Sequence, residues 1–561
     1  MRVDEALGEE LRRLGTQVIF SVPASETMRI IAAATARGIE HLSARHEQAA
    51  VGMADGYHRM SGRVGVVLLG RGAGLTNGVN ALVTARKADS GVLVIAGELD
   101  GRLAADPVAA SRHVMAVKTI DQTGFLKSIG VDAVTLSDPT TAVEELGAAM
   151  ARATGGRTVA VLLRADVAAA DASDAVPSAD PASMALPGPN PQAADPAQVA
   201  LIVDHLAEGG AARPVVLAGR GAVVSGAEPS LTRLADRIGA LLGSTLLARP
   251  LFTDDPYAIG VVGTMATPAT AQLVADSDLV IAFGASLNLY TTFGGDLVRR
   301  ARIVQVDSDP TAIGAHVEVD LGLVGDARLV ADQILAGLDG RGVRLDGYRR
   351  AVFADAVATA RSPEPMRDEG RDGALDPRLL CRQLDELLPR DRTVVVDNGA
   401  HMSFTTRYLR VAEPGALLMT SSYGSVGAAQ GVALGAAAAR RDRPTVLAIG
   451  DGGFMMTLAD LDTAVRHRLP IVYVVMDDGA FAAEVHHLRA AGLPDDLARY
   501  ANPSLADVAR AIGARSLTVR SWADLAAVPE LVEALEGPVV IDCHTSLDVR
   551  GGHVDLIMRA R

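Results

Sequence analysis

The sequence has few aromatic residues, only two cysteines and no long apolar run. Aromatic residues make up 3% of its 561 residues, with a single tryptophan, which argues against a stacking platform for nucleic-acid bases. Cys381 and Cys543 lie too far apart in sequence to indicate a disulfide framework or a metal-binding cluster, so we expect buried thiols in a reducing compartment. No segment reaches the roughly 18 apolar residues of a membrane span. The N-terminus has the pattern of an amphipathic helix without the apolar segment of a signal peptide, so we expect a cytoplasmic protein.

The net charge further restricts the kinds of molecule that the protein is expected to bind. The formal net charge is −14 at pH 7, which opposes nonspecific attraction to nucleic-acid backbones and to anionic membranes. A small anion remains compatible with this charge, because backbone N–H groups and a metal ion can reverse the sign locally. We therefore expect a small-molecule substrate, and neither nucleic acid nor a membrane as partner.

Short β-branched runs alternate with helix-length segments along most of the chain. Examples are VGVVLLG at 64–70 and PIVYVVMDD at 470–478. Strands that are apolar on both faces, separated by helices, predict buried parallel sheets built from βαβ units. Two stretches with weak periodicity indicate linkers. The sequence thus predicts an α/β protein with three doubly wound parallel-sheet domains, divided as 1–167, linker 168–195, 196–338, linker 339–373, 374–548 and a C-terminal tail at 549–561.

The most informative stretch joins a predicted strand, Gly450-Asp451-Gly452, a helix and a second strand that ends in Asp477-Asp478. Both strands of a right-handed βαβ unit point the same way. We therefore expect Asp451 and Asp478 to emerge at the same carboxyl edge, where ligands of open α/β sheets bind. Two carboxylates beside glycines suit a hard divalent cation and the phosphate oxygens that it bridges.

This stretch resembles the GDG…NN motif of thiamine-diphosphate-dependent enzymes such as acetolactate synthase, benzoylformate decarboxylase and pyruvate decarboxylase. The resemblance implies thiamine diphosphate held through Mg²⁺, with Asp451, Asp478 and the carbonyl of Ala480 as metal ligands. It also places three glycines beside the cofactor: Gly450, Gly452 and Gly453. This sequence has an Asp pair where the family usually has an Asn pair, which adds negative charge near the diphosphate.

A second segment, ARHEQAAVGMADGY from residue 44, contains a predicted helix that begins at Glu47 and is rich in small residues. Taken alone, Glu47 is better explained as a residue that caps the helix N-terminus. The segment resembles the family signature that supplies the glutamate sharing a proton with N1′ of the aminopyrimidine ring. In that family this glutamate faces the diphosphate site of another chain, which implies a homodimer or homotetramer with active sites at the subunit interface.

Three further segments resemble parts of the same family. Residues 397–401 resemble a turn whose histidine touches the diphosphate, which implies that role for His401. Residues 421–437 resemble the segment in which a carbonyl, here of Gly424, accepts from the 4′-amino group. Val426 then occupies the position that supports the bent cofactor. The middle of the chain resembles the central domain, which holds FAD in acetolactate synthase; FAD is compatible here, but we favour a structural domain.

The reaction is indicated only in outline. Ser25 aligns with a serine of benzoylformate decarboxylase, and Glu484 aligns with an active-site glutamate of pyruvate decarboxylase, which implies substrate binding and proton transfer, respectively. The alternatives are a turn serine and a surface glutamate. We favour a nonoxidative lyase or carboligase that decarboxylates a 2-oxo acid and adds the product to a second carbonyl. Acetolactate synthase or a related acyl transfer enzyme is the second interpretation. An inactive or regulatory cofactor-binding subunit is the third, and the intact Glu47 and Asp451 argue against it.

Overall fold

Three separate parallel sheets of six strands each organise the protein in the computed structural model, which describes residues 1–106, 108, 117–173, 191–362, 364–371 and 373–551. Each sheet is buried between helices, which confirms the predicted α/β class with three doubly wound domains. Strands and helices are numbered below in chain order, and the three units are called the N-terminal, central and C-terminal units.

The N-terminal unit has the strand order β2-β1-β3-β4-β6-β5. The inner strands are apolar on both faces, as buried parallel strands require. Its strands are β1 (Val18–Ser21), β2 (Glu40–Ser43), β3 (Gly65–Leu69), β4 (Val92–Glu98), β5 (Asp132–Leu136) and β6 (Thr158–Arg164). Its helices are α1 (Val3–Arg13), α2 (Met28–Ala36), α3 (Glu47–Ser61), α4 (Ala73–Asn77), α5 (Val79–Lys87), α6 (Gly101–Ala105), α7 (Gln122–Ser128), α8 (Ala142–Thr154) and α9 (Ala165–Ala169).

The central unit has the order β12-β11-β10-β7-β8-β9, the arrangement of dinucleotide-binding folds. Its strands are β7 (Pro214–Ala218), β8 (Leu241–Ser244), β9 (Ala258–Val261), β10 (Leu279–Phe283), β11 (Arg302–Asp307) and β12 (Leu321–Val324). Its α-helices are α10 (Pro196–Ala207), α11 (Arg220–Val224), α12 (Glu228–Ile238), α13 (Pro268–Ala275), α14 (Leu289–Thr292), α15 (Ala327–Gly340) and α16 (Ala354–Arg361). Its 3₁₀ turns are Leu246–Ala248, Asp296–Val298, Gly347–Arg349 and Ala351–Phe353.

The C-terminal unit has the order β14-β13-β15-β16-β18-β17, so it repeats the topology of the N-terminal unit strand for strand. Its strands are β13 (Thr393–Val396), β14 (Leu417–Met419), β15 (Thr445–Gly450), β16 (Ile471–Asp477), β17 (Arg515–Val519) and β18 (Val539–His544). Its α-helices are α17 (Pro377–Leu387), α18 (Met402–Tyr408), α19 (Ala428–Ala439), α20 (Asp451–Met456), α21 (Leu461–Arg466), α22 (Ala482–Ala490), α23 (Leu505–Ile512) and α24 (Val528–Glu533). Its 3₁₀ turns are Leu458–Asp460, Asp495–Ala498 and Trp522–Ala527.

The segment 339–373, predicted as a linker, contains ordered structure that packs on the central unit. The Tyr348 hydroxyl donates to the carbonyl of Leu273, and Val357 and Ala360 of α16 are buried in the core. The helix is short and rich in alanine, so its apolar periodicity in the sequence is too weak to predict it. Residues 174–190, which form most of the other predicted linker, and residues 552–561 of the predicted tail lie outside the described residues.

Helices α3 and α19 pack backbone to backbone and join the N-terminal and C-terminal units. A Cβ atom on Gly56 would lie 2.0 Å from the Val432 carbonyl oxygen, and one on Gly435 would lie 1.9 Å from that of Met53. Only glycine permits so close a helix crossing. One apolar cluster therefore continues from the first sheet into the third. Within the described part of the chain, every helix is too short or too polar to traverse a lipid bilayer.

Candidate active site

The carboxyl edge of the C-terminal sheet gathers the acidic side chains. Strands β15 and β16 are parallel neighbours, and their register pairs Gly450 with Met476. Asp451 begins α20 directly after β15, and β16 ends at Asp477, directly before Asp478. The predicted pairing of these strands is thus confirmed. The strand order reverses between β13 and β15, and ligands of open α/β sheets bind in the crevice at such a point.

Asp451 is held rigidly in this crevice. One carboxylate oxygen accepts from the Gly479 N–H at 3.0 Å and from the Asn502 amide at 2.7 Å. The other accepts from the Gly452 N–H at 2.8 Å. Burial, and then the negative charge of Asp477, raises the pKa of Asp451 to about 7. The fold therefore fixes a carboxyl group in a position where burial and a neighbouring negative charge disfavour its ionised form.

Asp478 is the second acidic group of the crevice. Its Oδ1 atom is buried and has no hydrogen-bond partner among the residues that the structure describes. Burial, followed by the charges of Asp451 and Asp477, raises its pKa well above the usual range, while the N–H of Ala480 donates to it and opposes that rise. A divalent cation between Asp451 and Asp478 would relieve both the repulsion and the orphaned oxygen.

The glycines of the β15 turn pack closely against three surrounding side chains, those of His401, Phe481 and Asp397. The His401 ring is buried, and a Cβ atom on Gly450 would approach its Nδ1 to 3.2 Å. A Cβ atom on Gly452 would lie 2.6 Å from the Phe481 ring, and one on Gly453 would lie 2.5 Å from the Asp397 carboxylate. The turn therefore leaves no room for side chains at these positions, so glycine is required there.

The segment with Gly424 and Val426 is held beside the same crevice by hydrogen bonds. The Asn398 amide donates to the Ser425 carbonyl and to the Thr420 hydroxyl, each at 2.9 Å. Gly424 is exposed in a left-handed conformation with φ of 82°. Val426 is half-buried, and its Cγ1 atom lies 3.4 Å from where a Cβ of Gly453 would be. The segment thus lies directly beside the glycine turn.

Glu47 belongs to the carboxyl edge of the N-terminal sheet. It is half-buried and is the first residue of α3, as predicted. Its carboxylate accepts from the Asn77 side chain at 3.0 Å, and its Oε1 atom lies 3.3 Å from where a Cβ of Gly74 would be. The side chain of His46, rather than that of Glu47, caps the helix by accepting from the Gln48 N–H. Glu47 therefore remains available for a role other than capping.

Ser25 and Glu484 are both exposed, and the contacts recorded for them are with neighbouring residues of their own segments. Ser25 is exposed after β1 and donates to the Glu26 carboxylate at 3.1 Å. The Glu484 side chain is 63% exposed on α22 and lies 3.3 Å from His487. His486, two residues further along the helix, is buried and lines a small cavity with His401 and Asp478. The roles of Ser25 and Glu484 stay predictions.

Two residues of the crevice were missed by the sequence reasoning. Asn502 donates to Asp451 at 2.7 Å and to Asp477 at 2.8 Å, and the Tyr500 hydroxyl donates to Asp451 at 3.3 Å. Both come from the loop that precedes α23. That loop carries no glycine motif and no periodicity, so no signal in a single sequence could have identified them.

Comparison with known proteins gives a consistent result along the chain. Family models of thiamine pyrophosphate enzymes match in order: the N-terminal TPP binding domain at 1–125, the central domain at 201–334 and the C-terminal TPP binding domain at 397–543. A probable acetolactate synthase large subunit of Methanocaldococcus jannaschii is 29% identical over 85% of this chain and 80% of that protein. A sulfoacetaldehyde acetyltransferase of Castellaniella defragrans is 28% identical over 96% and 91%, respectively. The acetolactate synthase isozyme 3 large subunit of Escherichia coli is 27% identical over 83% and 80%.

Proposed function

This chain belongs to the thiamine pyrophosphate enzyme family, and we propose that it decarboxylates a 2-oxo acid and transfers the remaining fragment to a second carbonyl or other acyl acceptor. The observation that carries this proposal is the pair of the buried Asp451 and of Asp478, whose Oδ1 atom is buried, at the strand-order reversal, in a chain that matches all three family domains in order. Transfer is favoured over simple release of an aldehyde because the similar proteins are named as synthases and an acetyltransferase.

The crevice fits a magnesium ion and a diphosphate. Asp451 and Asp478 present carboxylate oxygens, and Asp478 Oδ1 has no protein partner within the described residues. We expect these two side chains and the Ala480 carbonyl to bind Mg²⁺, which prefers oxygen ligands. The backbone of Gly450, Gly452 and Gly453 and the ring of His401 then contact the diphosphate. The Asp pair that replaces the usual Asn pair adds charge that a tightly held cation offsets.

The remaining residues act on the organic part of the cofactor. Bound thiamine pyrophosphate supplies a nucleophilic carbon and an electron sink for the departing CO₂. Glu47 would hold a proton beside the aminopyrimidine nitrogen of the bound cofactor, the Gly424 carbonyl would accept from the amino group, and Val426 would pack against the cofactor. Ser25 and Glu484 are proposed at the substrate end, Ser25 as a donor to the substrate carboxylate and Glu484 as a proton donor.

Released CO₂ is the measurement that tests the reaction class. With thiamine pyrophosphate and Mg²⁺ added, we expect at least one member of a panel of 2-oxo acids to release CO₂, and mass analysis to find a ketol or acyl product when an acceptor is present. An aldehyde as sole product would favour a simple lyase. Bound cofactor without CO₂ from any acid would favour the inactive subunit. We expect no flavin absorbance in the purified protein; a yellow protein would support the FAD-containing alternative.

We also propose that the active site is completed by a second copy of the chain. The hydrogen bond of the Glu47 carboxylate is to Asn77 of its own unit. Large apolar side chains remain exposed around the acidic crevice, namely Tyr423 at 45%, Phe481 at 44%, Met456 at 63% and Leu497 at 75%. Exposed apolar groups clustered around a polar site are typical of an interface. A homodimer or homotetramer would cover them and bring Glu47 of one copy to the crevice of the other.

Mixing two inactive variants tests this arrangement. Glu47→Gln and Asp478→Ala should each be inactive alone, because each removes one half of every site. Random assembly of the two in a twofold dimer should restore about a quarter of the wild-type activity, since half of the dimers would hold one intact site. Activity is measured after co-expression in equal amounts, with a double variant mixed with wild type as the matched control. A mixture as inactive as its components would indicate sites formed within one chain.

A further inference from the structure

A second group of metal-ligand side chains lies one strand away from the acidic crevice. Asp477 ends β16, and Asp542 and His544 end the neighbouring parallel strand β18, whose register pairs Asp477 with His544. The distance from His544 Nδ1 to an Asp477 oxygen is 3.8 Å, and that from His544 Nε2 to an Asp542 oxygen is also 3.8 Å. One ligand-type atom from each residue lies within 4.8 Å of the others.

These distances are too long for hydrogen bonds. They start from different nitrogens of the His544 ring, and a histidine binds an ion through one of them, so the spacing that bears on a shared ion is that of one atom from each residue, within 4.8 Å. Protein hydrogen bonds between nitrogen and oxygen span about 2.7–3.2 Å. Metal–ligand bonds of about 2.1 Å place neighbouring ligand atoms roughly 3 to 4 Å apart. The Asp542 side chain is completely buried, and its Oδ1 atom has no hydrogen-bond partner among the described residues; nor has His544 Nε2, which points to the Asp542 carboxylate. An acceptor oxygen and a ring nitrogen are therefore both left for a ligand.

The carboxyl groups around this cluster also favour the binding of a cation. Asp451, Asp477, Asp478 and Asp542 are carboxyl groups of one sheet edge, and Asn502 links the first two of them. The arginines that act on them electrostatically, Arg499 on Asp478 and Arg520 on Asp542, form no ion pair with the four carboxylates within the described chain. A second cation would offset the charge that these carboxyl groups carry when they are ionised.

We propose that Asp477, Asp542 and His544 bind a second divalent cation, separate from the one at Asp451 and Asp478. Two carboxylates and one imidazole suit a transition metal such as Mn²⁺ or Zn²⁺ better than Mg²⁺, which prefers oxygen ligands only. Water molecules would complete the coordination shell, because His544 is 22% exposed. The site does not depend on the proposed substrate or on bound thiamine pyrophosphate.

Manganese counting by electron paramagnetic resonance tests the proposal on the full-length chain. With saturating thiamine pyrophosphate, wild type should bind two Mn²⁺ ions per chain, and without the cofactor it should retain one. Asp542→Asn and His544→Gln should weaken the retained ion at least tenfold. Asp507→Asn, which changes an exposed carboxylate on α23, is the matched control and should bind as wild type does.

Asp478→Ala separates this site from the proposed function, because it should lose the cofactor-dependent ion and keep the other. The proposal is overturned if wild type without cofactor binds no Mn²⁺, or if Asp542→Asn and His544→Gln bind it as tightly as wild type. Thermal unfolding of each variant establishes that it is folded; because His544 is partly exposed, His544→Gln supplies the test even if the buried Asp542→Asn is unstable.

Discussion

Glu47→Gln is expected to bind thiamine pyrophosphate nearly as tightly as wild type and to lose most of its turnover. Glutamine has the size of glutamate, and its carbonyl can still accept the hydrogen bond from Asn77, so the N-terminus of α3 should keep its structure. It cannot exchange a proton with the aminopyrimidine nitrogen. Loss of a positioned acid–base group costs about 10²–10⁴-fold in rate. We therefore expect kcat to fall by that factor, with the cofactor dissociation constant changed by only a few-fold, as measured by calorimetric titration.

Two comparisons make the Glu47 result specific. Glu144→Gln, on the exposed side of α8, introduces the same chemical change far from the crevice and should leave both quantities unchanged. The affinity measurement separates a catalytic role from a structural one, because a damaged N-terminal unit would also weaken cofactor binding. A Glu47→Gln enzyme that turns over within tenfold of wild type would remove Glu47 from the mechanism.

The fold was predictable because each sheet is buried on both faces. Continuous β-branched runs such as 64–70 and 470–478 favour strands that are buried on both faces, and their alternation with helix-length segments indicates parallel sheets. The shared strand order of the N-terminal and C-terminal units was not predictable. Two sheets can have the same topology with different side chains, and the amino-acid sequence then shows no repeat. The Ala354–Arg361 helix was missed because few of its residues are both large and buried.

The residues of the candidate site likewise differ in whether the sequence could predict them. Asp451 and Asp478 could be placed together because parallel neighbouring strands force their carboxyl ends to one edge. Tyr500 and Asn502 reach Asp451 from a loop, and the path of a loop is set by tertiary packing rather than by periodicity. The exposure of Glu484 could not be predicted from the sequence either, because α22 has no clear apolar stripe that would fix the orientation of the helix.

Asp478→Ala is expected to weaken cofactor binding strongly, whereas Asp478→Asn is expected to change it much less. Alanine removes the orphaned oxygen and with it a direct metal ligand. Loss of an outer partner alone costs about 10–100-fold in metal affinity, so loss of the ligand itself should weaken Mg²⁺-dependent binding of thiamine pyrophosphate at least about 100-fold. Asparagine retains an oxygen ligand and restores the residue that related enzymes usually have there. It should bind the cofactor within about tenfold of wild type, because the lost charge also relieves repulsion with Asp451 and Asp477.

The contrast between these two substitutions identifies the role of the Asp478 oxygen. If Asp478 only filled space or stabilised the end of β16, alanine and asparagine would differ in melting temperature and not in their dependence on Mg²⁺. Titrating activity against Mg²⁺ at saturating thiamine pyrophosphate distinguishes these cases, since a ligand defect is partly rescued by excess metal and a folding defect is not. Equal cofactor affinity in wild type and Asp478→Ala would show that the cation is held elsewhere. The assignment of the acidic crevice as the diphosphate-binding site would then be rejected.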